Sequence, residues 1–129
     1  MKIIIADDDS MIRDFYNDII KDTFDSMVEV ETVDCGEKLV EKVKQGGYRL
    51  IITDNNMPPG MNGLEAILEI RKFNKEIPIC MISGDGIEQR AKEIGASHYL
   101  PKPFSDQDLL NWIRMYINLD SVAMYSGSI

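Results

Sequence analysis

The chain is 129 residues long and 44% hydrophobic, enough for one packed domain and too little for a second core. Its formal net charge of -8 argues against non-specific binding to nucleic acid or an anionic membrane, and suits a cationic partner or a divalent metal. The apolar start is too short for a signal peptide and no run is long enough to cross a bilayer, so a cytoplasmic location is expected.

The first run, "KIIIA" (2–6), is continuously apolar, as in a strand buried on both faces. It ends in Asp7, Asp8 and Asp9, after which Met11, Ile12, Phe15, Tyr16, Ile19 and Ile20 recur at helical spacing. A second strand is expected in "VEVETV" (28–33), followed by a helix carrying Leu39, Val40 and Val43. The third run, "LIIT" (50–53), closes on Asp54, and the chain then breaks at Pro58, Pro59, Gly60 and Gly63. Asn62 is placed to cap a third helix with Leu64, Ile67, Leu68 and Arg71 on its pattern. The fourth run, "IPICMIS" (77–83), ends on Ser83, and its Cys80 reads as a buried free thiol with no ligand spacing to Cys35. After Gly84 and Gly86 a short fourth helix starts near Ile87, and the weaker "SHYL" (97–100) precedes Lys102. Ser105 and Asp108 have capping-box spacing and open a last helix with Leu109, Leu110, Ile113, Tyr116 and Ile117 on one face. Residues 119–129 fit neither period and read as a C-terminal tail beyond a domain of residues 1–118.

Strand and helix thus alternate along the whole domain. Short connections and right-handed crossovers give an α/β fold, a doubly wound five-stranded parallel sheet with helices on both faces. In such sheets ligands bind beyond the carboxyl ends of the strands. Asp7, Asp8, Asp54, Ser83 and Lys102 all fall at that edge. Singly, each has an ordinary explanation: Asp9 or Ser10 as a helix cap, Asp54 as a loop acid. Acids on two strands, a hydroxyl on a third and a lysine on a fourth are harder to ascribe to coincidence.

Converging carboxylates repel: two charges ~4 Å apart cost about 4 kcal/mol at an effective dielectric near 20. A hard divalent cation such as Mg²⁺ removes that cost while keeping room for waters and a phosphate oxygen. A carboxylate in such a site is a competent nucleophile for phosphoryl transfer, forming an acyl phosphate, with Lys102 and Ser83 neutralising the transferred group.

The motifs "IIIADDDSMIR", "LIITDNNMPPGMNGLE", "ICMISGD" and "GASHYLPKPF", in this order and spacing, resemble the response-regulator receiver domain of two-component signalling, over roughly residues 1–118. The resemblance implies a flavodoxin-like (βα)5 fold and a signalling phosphoprotein rather than an enzyme. It implies that Asp54 is the phosphoacceptor, with Mg²⁺ held by Asp7, Asp8, Asp54 and the backbone carbonyl of Asn56. Ser83 and Lys102 would hold phosphoryl oxygens, Ser83 and Tyr99 would form the switch, and Lys102–Pro103 matches a peptide bond commonly cis in the family. Asn56 and Asp85 match positions that shape water access to the phosphoryl group, which implies a fairly short-lived phosphoprotein. Implied partners are a sensor histidine kinase or histidine phosphotransfer protein and a downstream protein target, with a stand-alone chemotaxis-regulator-like role or a phosphorelay role both open.

Two stretches depart from the family pattern. The loop after Asp54, "NNMPPGMN", is one residue longer than the commonest form, which a turn at Pro58–Gly60 can absorb. The stretch "SGDGIEQRAKEIG" (83–95) is about one helical turn short. A shortened fourth helix leaves its neighbouring face less covered, and the tail is expected to pack there or on a second copy of the chain. A rival resemblance is to haloacid-dehalogenase-type phosphatases, because Asp7 and Asp9 spell D-x-D after the first strand with Asp7 as nucleophile. Against it, no further acidic pair follows the lysine except "SDQD", which opens a helix, and Asp54 is left without a role.

Overall fold

A computed structural model describes the backbone of residues 1–127 and the side chains of residues 1–123. The apolar runs become five parallel strands, β1 (Lys2–Ala6), β2 (Glu29–Val33), β3 (Leu50–Asp54), β4 (Ile79–Ser83) and β5 (His98–Pro101), in sheet order β2-β1-β3-β4-β5. The helices that return the chain between them are α1 (Ser10–Phe24), α2 (Gly36–Gln45), α3 (Gly63–Arg71), α4 (Glu88–Glu93) and α5 (Asp106–Gly127).

β1, β3 and β4 are the central strands, and residues 3–5, 50–53 and 79–82 on them are almost completely buried. Alternate side chains feed two cores, as the two-residue period of a strand requires. Ile3, Ile5, Ile52 and Ile82 pack with Tyr16, Ile20, Leu109 and Ile113 of α1 and α5. Ile4, Ile51, Ile79 and Met81 pack with Leu39, Val43, Ile67 and Ile70 of α2 and α3. On α1 the buried stripe is Tyr16, Ile20 and Phe24, whereas Met11 and Phe15 point to solvent, 78% and 43% exposed. Of the expected apolar face, Ile12, Tyr16, Ile19 and Ile20 pack on the core, and only Met11 and Phe15 do not.

Helix boundaries follow local chemistry. Asp9 caps α1, its carboxylate accepting from the Met11 N–H at 2.9 Å. Asn62 and Glu65 form a complete capping box on α3. Ser105 and Asp108 bond each other's backbone N–H at the start of α5. Pro58 and Pro59 lie in the turn after β3, with a cis bond between the two prolines. α4 is only six residues long, and Arg71 braces its exit by donating from Nε and Nη2 to the Gly95 carbonyl at 3.0 and 2.7 Å.

One expectation is corrected. Residues 119–127 are not a separate irregular tail but the last turns of α5. Nothing before Gly127 breaks the helix, and Asp120 forms a two-pronged ion pair with Arg49, whose guanidinium also lies 5.0 Å over the Tyr116 ring. Leu119 and Val122 are 52% and 62% exposed, so no buried apolar period marks these turns among the described side chains. Asp120 turns toward the start of β3, not toward α4. The side chains of Met124 and Tyr125, two further large apolar residues of the stretch expected to pack as a tail, lie outside the described residues.

Candidate phosphoryl site at the carboxyl edge of the sheet

Parallel register alone assembles the site. Ala6 pairs with Thr53, so Asp7 and Asp54 leave the sheet side by side. Asp54 pairs with Ile82 and Ser83 with Pro101, which puts Ser83 and Lys102 at the same edge on the next two strands.

Carboxylate oxygens of Asp7, Asp8 and Asp54 all lie within 4.8 Å of one another, with Asp7 and Asp54 buried and Asp8 exposed. The Lys102 ammonium donates to Asp54 Oδ1 at 3.1 Å, and Lys102–Pro103 is cis. Asp7 accepts from the Asp9 N–H at 2.9 Å, and its backbone carbonyl accepts from Arg13 Nη1 at 2.8 Å. Burial pushes the Asp7 carboxyl up to about 6, the Asp9 N–H opposing and the Asp54 charge adding to the rise. Burial also raises Asp54, against the pull of Lys102. Both shifts say that the negative charge is unfavourable here without a further cation.

Asp9 stays out of this cluster because its carboxylate is spent on the α1 cap. Only its backbone N–H reaches the cluster, donating to Asp7 Oδ1. Gly63 is fixed by close approach: a Cβ there would strike the Asp54 carbonyl oxygen, and its N–H donates to the Asn55 carbonyl at 2.9 Å. Asn55, which no pattern in the sequence marks, caps the same turn by accepting from the Leu64 N–H at 3.2 Å.

Above Asp54, the Ser83 hydroxyl donates to Asp85 Oδ2 at 3.3 Å and accepts from the Asp85 N–H at 3.0 Å. The Asn56 side chain donates to the same Asp85 oxygen at 3.0 Å. Asp85, two residues beyond the end of β4, is thus bonded directly to two residues of the site, a contact that its place in a loop does not announce. Tyr99 is buried, its hydroxyl donating to the Ser83 carbonyl at 3.2 Å and accepting from the Ile87 N–H at 3.3 Å. His98 stands apart, stacked on Trp112 with ring centroids 5.9 Å apart. Cys80 is sealed in the core, where burial pushes its thiol up.

The donor set fits a hard cation: three carboxylates converge, and burial disfavours the uncompensated charge of Asp7 and Asp54. Residues 3–114 match the family model described as the response regulator receiver domain. The chain is 37% identical to the chemotaxis protein CheY1 of Helicobacter pylori, over 84% of this chain and 90% of that one. It is 32% identical to a CpxR homolog of Haemophilus influenzae described as a transcriptional regulatory protein, spanning only 48% of that protein's length. Among solved structures, the response regulator TrrA of Thermotoga maritima in complex with Mg²⁺ and BeF superposes with a TM-score of 0.79, at 28% identity, over 88% of this chain and 96% of that one. The chain belongs to the response-regulator receiver family, a signalling module of two-component systems and not a catalytic enzyme.

Proposed function

We propose that the protein accepts a phosphoryl group on the Asp54 carboxylate from a phosphohistidine of a sensor kinase or phosphotransfer protein, and alters its binding to a downstream protein in response. The observation that carries this is the placement of Asp54, buried beside Asp7 and Asp8 and bonded to Lys102 at the open edge of the sheet. On this reading residues 1–118 are the receiver unit, working in the cytoplasm with its kinase.

Asp7, Asp8, Asp54 and the Asn56 carbonyl would hold Mg²⁺, which supplies positive charge to the phosphoryl oxygens when bound. An Asp54 carboxylate oxygen forms the new bond to phosphorus as the bond to the histidine nitrogen breaks, and that nitrogen leaves with the electron pair. Lys102 is already paired with Asp54 and can follow the charge onto a phosphoryl oxygen. Ser83 can donate its hydroxyl to another.

Ser83 is also where the signal leaves the pocket. Its carbonyl and the Ile87 N–H share the Tyr99 hydroxyl, so a shift of Ser83 toward phosphate disturbs both β5 and the start of α4. The test is labelling by acetyl phosphate or a histidine kinase with Mg²⁺. Wild type takes base-labile label and Asp54→Asn does not. Equal label on Asp54→Asn, or label mapped to Asp7, overturns the assignment.

A further inference from the structure

We infer that Glu37, on the first turn of α2, is a positioning residue that clamps the loop after β3 and so holds the Asn56 carbonyl in place for a divalent cation. The inference rests on the reading of Asp7, Asp8, Asp54 and the Asn56 carbonyl as the Mg²⁺ site. The loop has few ties of its own. Met57 anchors it by burying its side chain in the core, but Pro58, Pro59 and Gly60 are exposed and the two prolines carry no N–H. Glu37 closes the far end, a carboxylate oxygen accepting from the Met61 N–H. Among the described residues that is the only hydrogen bond that residues 57–61 make. The same bond holds the Glu37 carboxyl below the usual carboxylate range, so it is the charged form that grips the loop.

Met61 lies next to the residues that touch the site. Two positions on, the Gly63 N–H donates to the Asn55 carbonyl at 2.9 Å, and the Leu64 N–H donates to the Asn55 side chain at 3.2 Å. Residues 61–64 are thereby laid along Asp54 and Asn55, the two residues that precede Asn56. Releasing Met61 loosens that seam, and with it the direction of the Asn56 carbonyl. Glu37 acts only through the loop, since it is not one of the carboxylates that converge at the pocket. Gly60 offers a second handle on the same contact. The atoms nearest a Cβ placed there are those of the Glu37 carboxylate, and Gly60 does not occupy the left-handed region, so its backbone admits a side chain. Gly60→Ala therefore evicts Glu37 from Met61 without straining the loop itself.

The experiment titrates Mg²⁺ into the full chain by isothermal calorimetry at pH 8, for wild type, Glu37→Ala, Glu37→Gln, Gly60→Ala and the Glu37→Ala/Gly60→Ala double variant. Loss of a group that orients a metal ligand typically costs about ten- to a hundredfold in affinity, and Glu37 stands one step further out, so Glu37→Ala is expected to weaken binding at least about threefold. Glu37→Gln keeps an oxygen for the Met61 N–H and is expected within about twofold of wild type. Gly60→Ala is expected to match Glu37→Ala, and the double variant to be no weaker than either, because changes that act through one contact do not add. Amide exchange over residues 57–64 without Mg²⁺ is expected to rise in Glu37→Ala and Gly60→Ala but not in Glu37→Gln. Unchanged affinity in Glu37→Ala overturns the inference. Equal losses in Glu37→Ala and Glu37→Gln also overturn it, because they report lost charge alone, and so do fully additive losses in the double variant. Where wild type binds Mg²⁺ and these comparisons fail, only the role of Glu37 is lost, whereas a wild type that takes no Mg²⁺ overturns the metal reading and this inference with it.

Discussion

Replacing Asp7 by asparagine should make the metal-free protein more stable. Asp7 is 3% exposed and its carboxyl is pushed from the ordinary 3.8 to about 6, chiefly by burial and further by the charge of Asp54. A displacement of that size corresponds to about 3 kcal/mol at 25 °C. Below about pH 4 the carboxyl is protonated in both folded and unfolded chains and no penalty exists. Between about pH 4 and pH 6 the folded chain binds a proton that the unfolded chain has released, so stability falls as pH rises. Above about pH 6 the penalty is complete. The amide introduced by Asp7→Asn would keep an oxygen to accept from the Asp9 N–H, now 2.9 Å from Asp7 Oδ1, and would carry no charge. Urea unfolding with EDTA should show Asp7→Asn more stable than wild type by about 2–3 kcal/mol at pH 8, the gain fading toward zero near pH 4. A variant no more stable at pH 8, or one with the same gain at both pH values, would refute the reasoning.

Asp8→Ala should weaken Mg²⁺ binding severely in a titration followed by intrinsic fluorescence, while Asp9→Ala leaves the affinity nearly unchanged and lowers stability by about 1 kcal/mol through loss of the α1 cap. Equal losses of affinity at Asp8 and Asp9 would contradict the separation of Asp9 from the acidic cluster. Deleting residues 119–129 removes the Arg49–Asp120 pair, which is half exposed, so unfolding free energy should fall by no more than about 1 kcal/mol. Label uptake on Asp54 should stay unchanged in that truncated chain, because Asp120 anchors at the opposite end of β3 from Asp54. A larger loss of either would make these turns part of the domain's working core.

Continuous apolar runs made the central strands legible, because a strand buried on both faces has no polar alternation to blur it. Asp7, Asp54, Ser83 and Lys102 were legible as a group for a related reason: each is the first polar residue after an apolar run, or close to it. Register then does the rest, since parallel pairing aligns strand ends. What escaped had no such marker. Asn55 and the Asp85 contacts act from loops, where position along the chain says little about direction; resemblance alone pointed to Asp85, and it did not reveal the bond to Ser83. Among the described side chains, the last turns of α5 are held by an ion pair across 71 residues and expose Leu119 and Val122, and periodicity detects only buried apolar contacts. Met11 and Phe15 misled in the opposite sense, being apolar and helical in spacing yet exposed.

The stability cost at Asp7 and the proposed chemistry at Asp54 have one origin. Asp7, Asp8 and Asp54 set three carboxylates against the single ammonium of Lys102, leaving two negative charges uncompensated. That excess equals the charge of one divalent cation, and burial of Asp7 and Asp54 magnifies it. A hydrophobic replacement at Asp7 or Asp54 would relieve the repulsion within the fold, but it would abolish the difference in charge between the empty and the loaded pocket. That difference is what a phosphoryl group can act on. Ser83, Tyr99 and Ile87 then offer a path of direct hydrogen bonds from the pocket to the start of α4. α4 is short and has no side-chain cap, and its first turn is therefore an element that a change at Ser83 can move at small cost. An unfavourable cluster of charge at one end and a weakly anchored helix at the other are the two ingredients a switch of this kind requires.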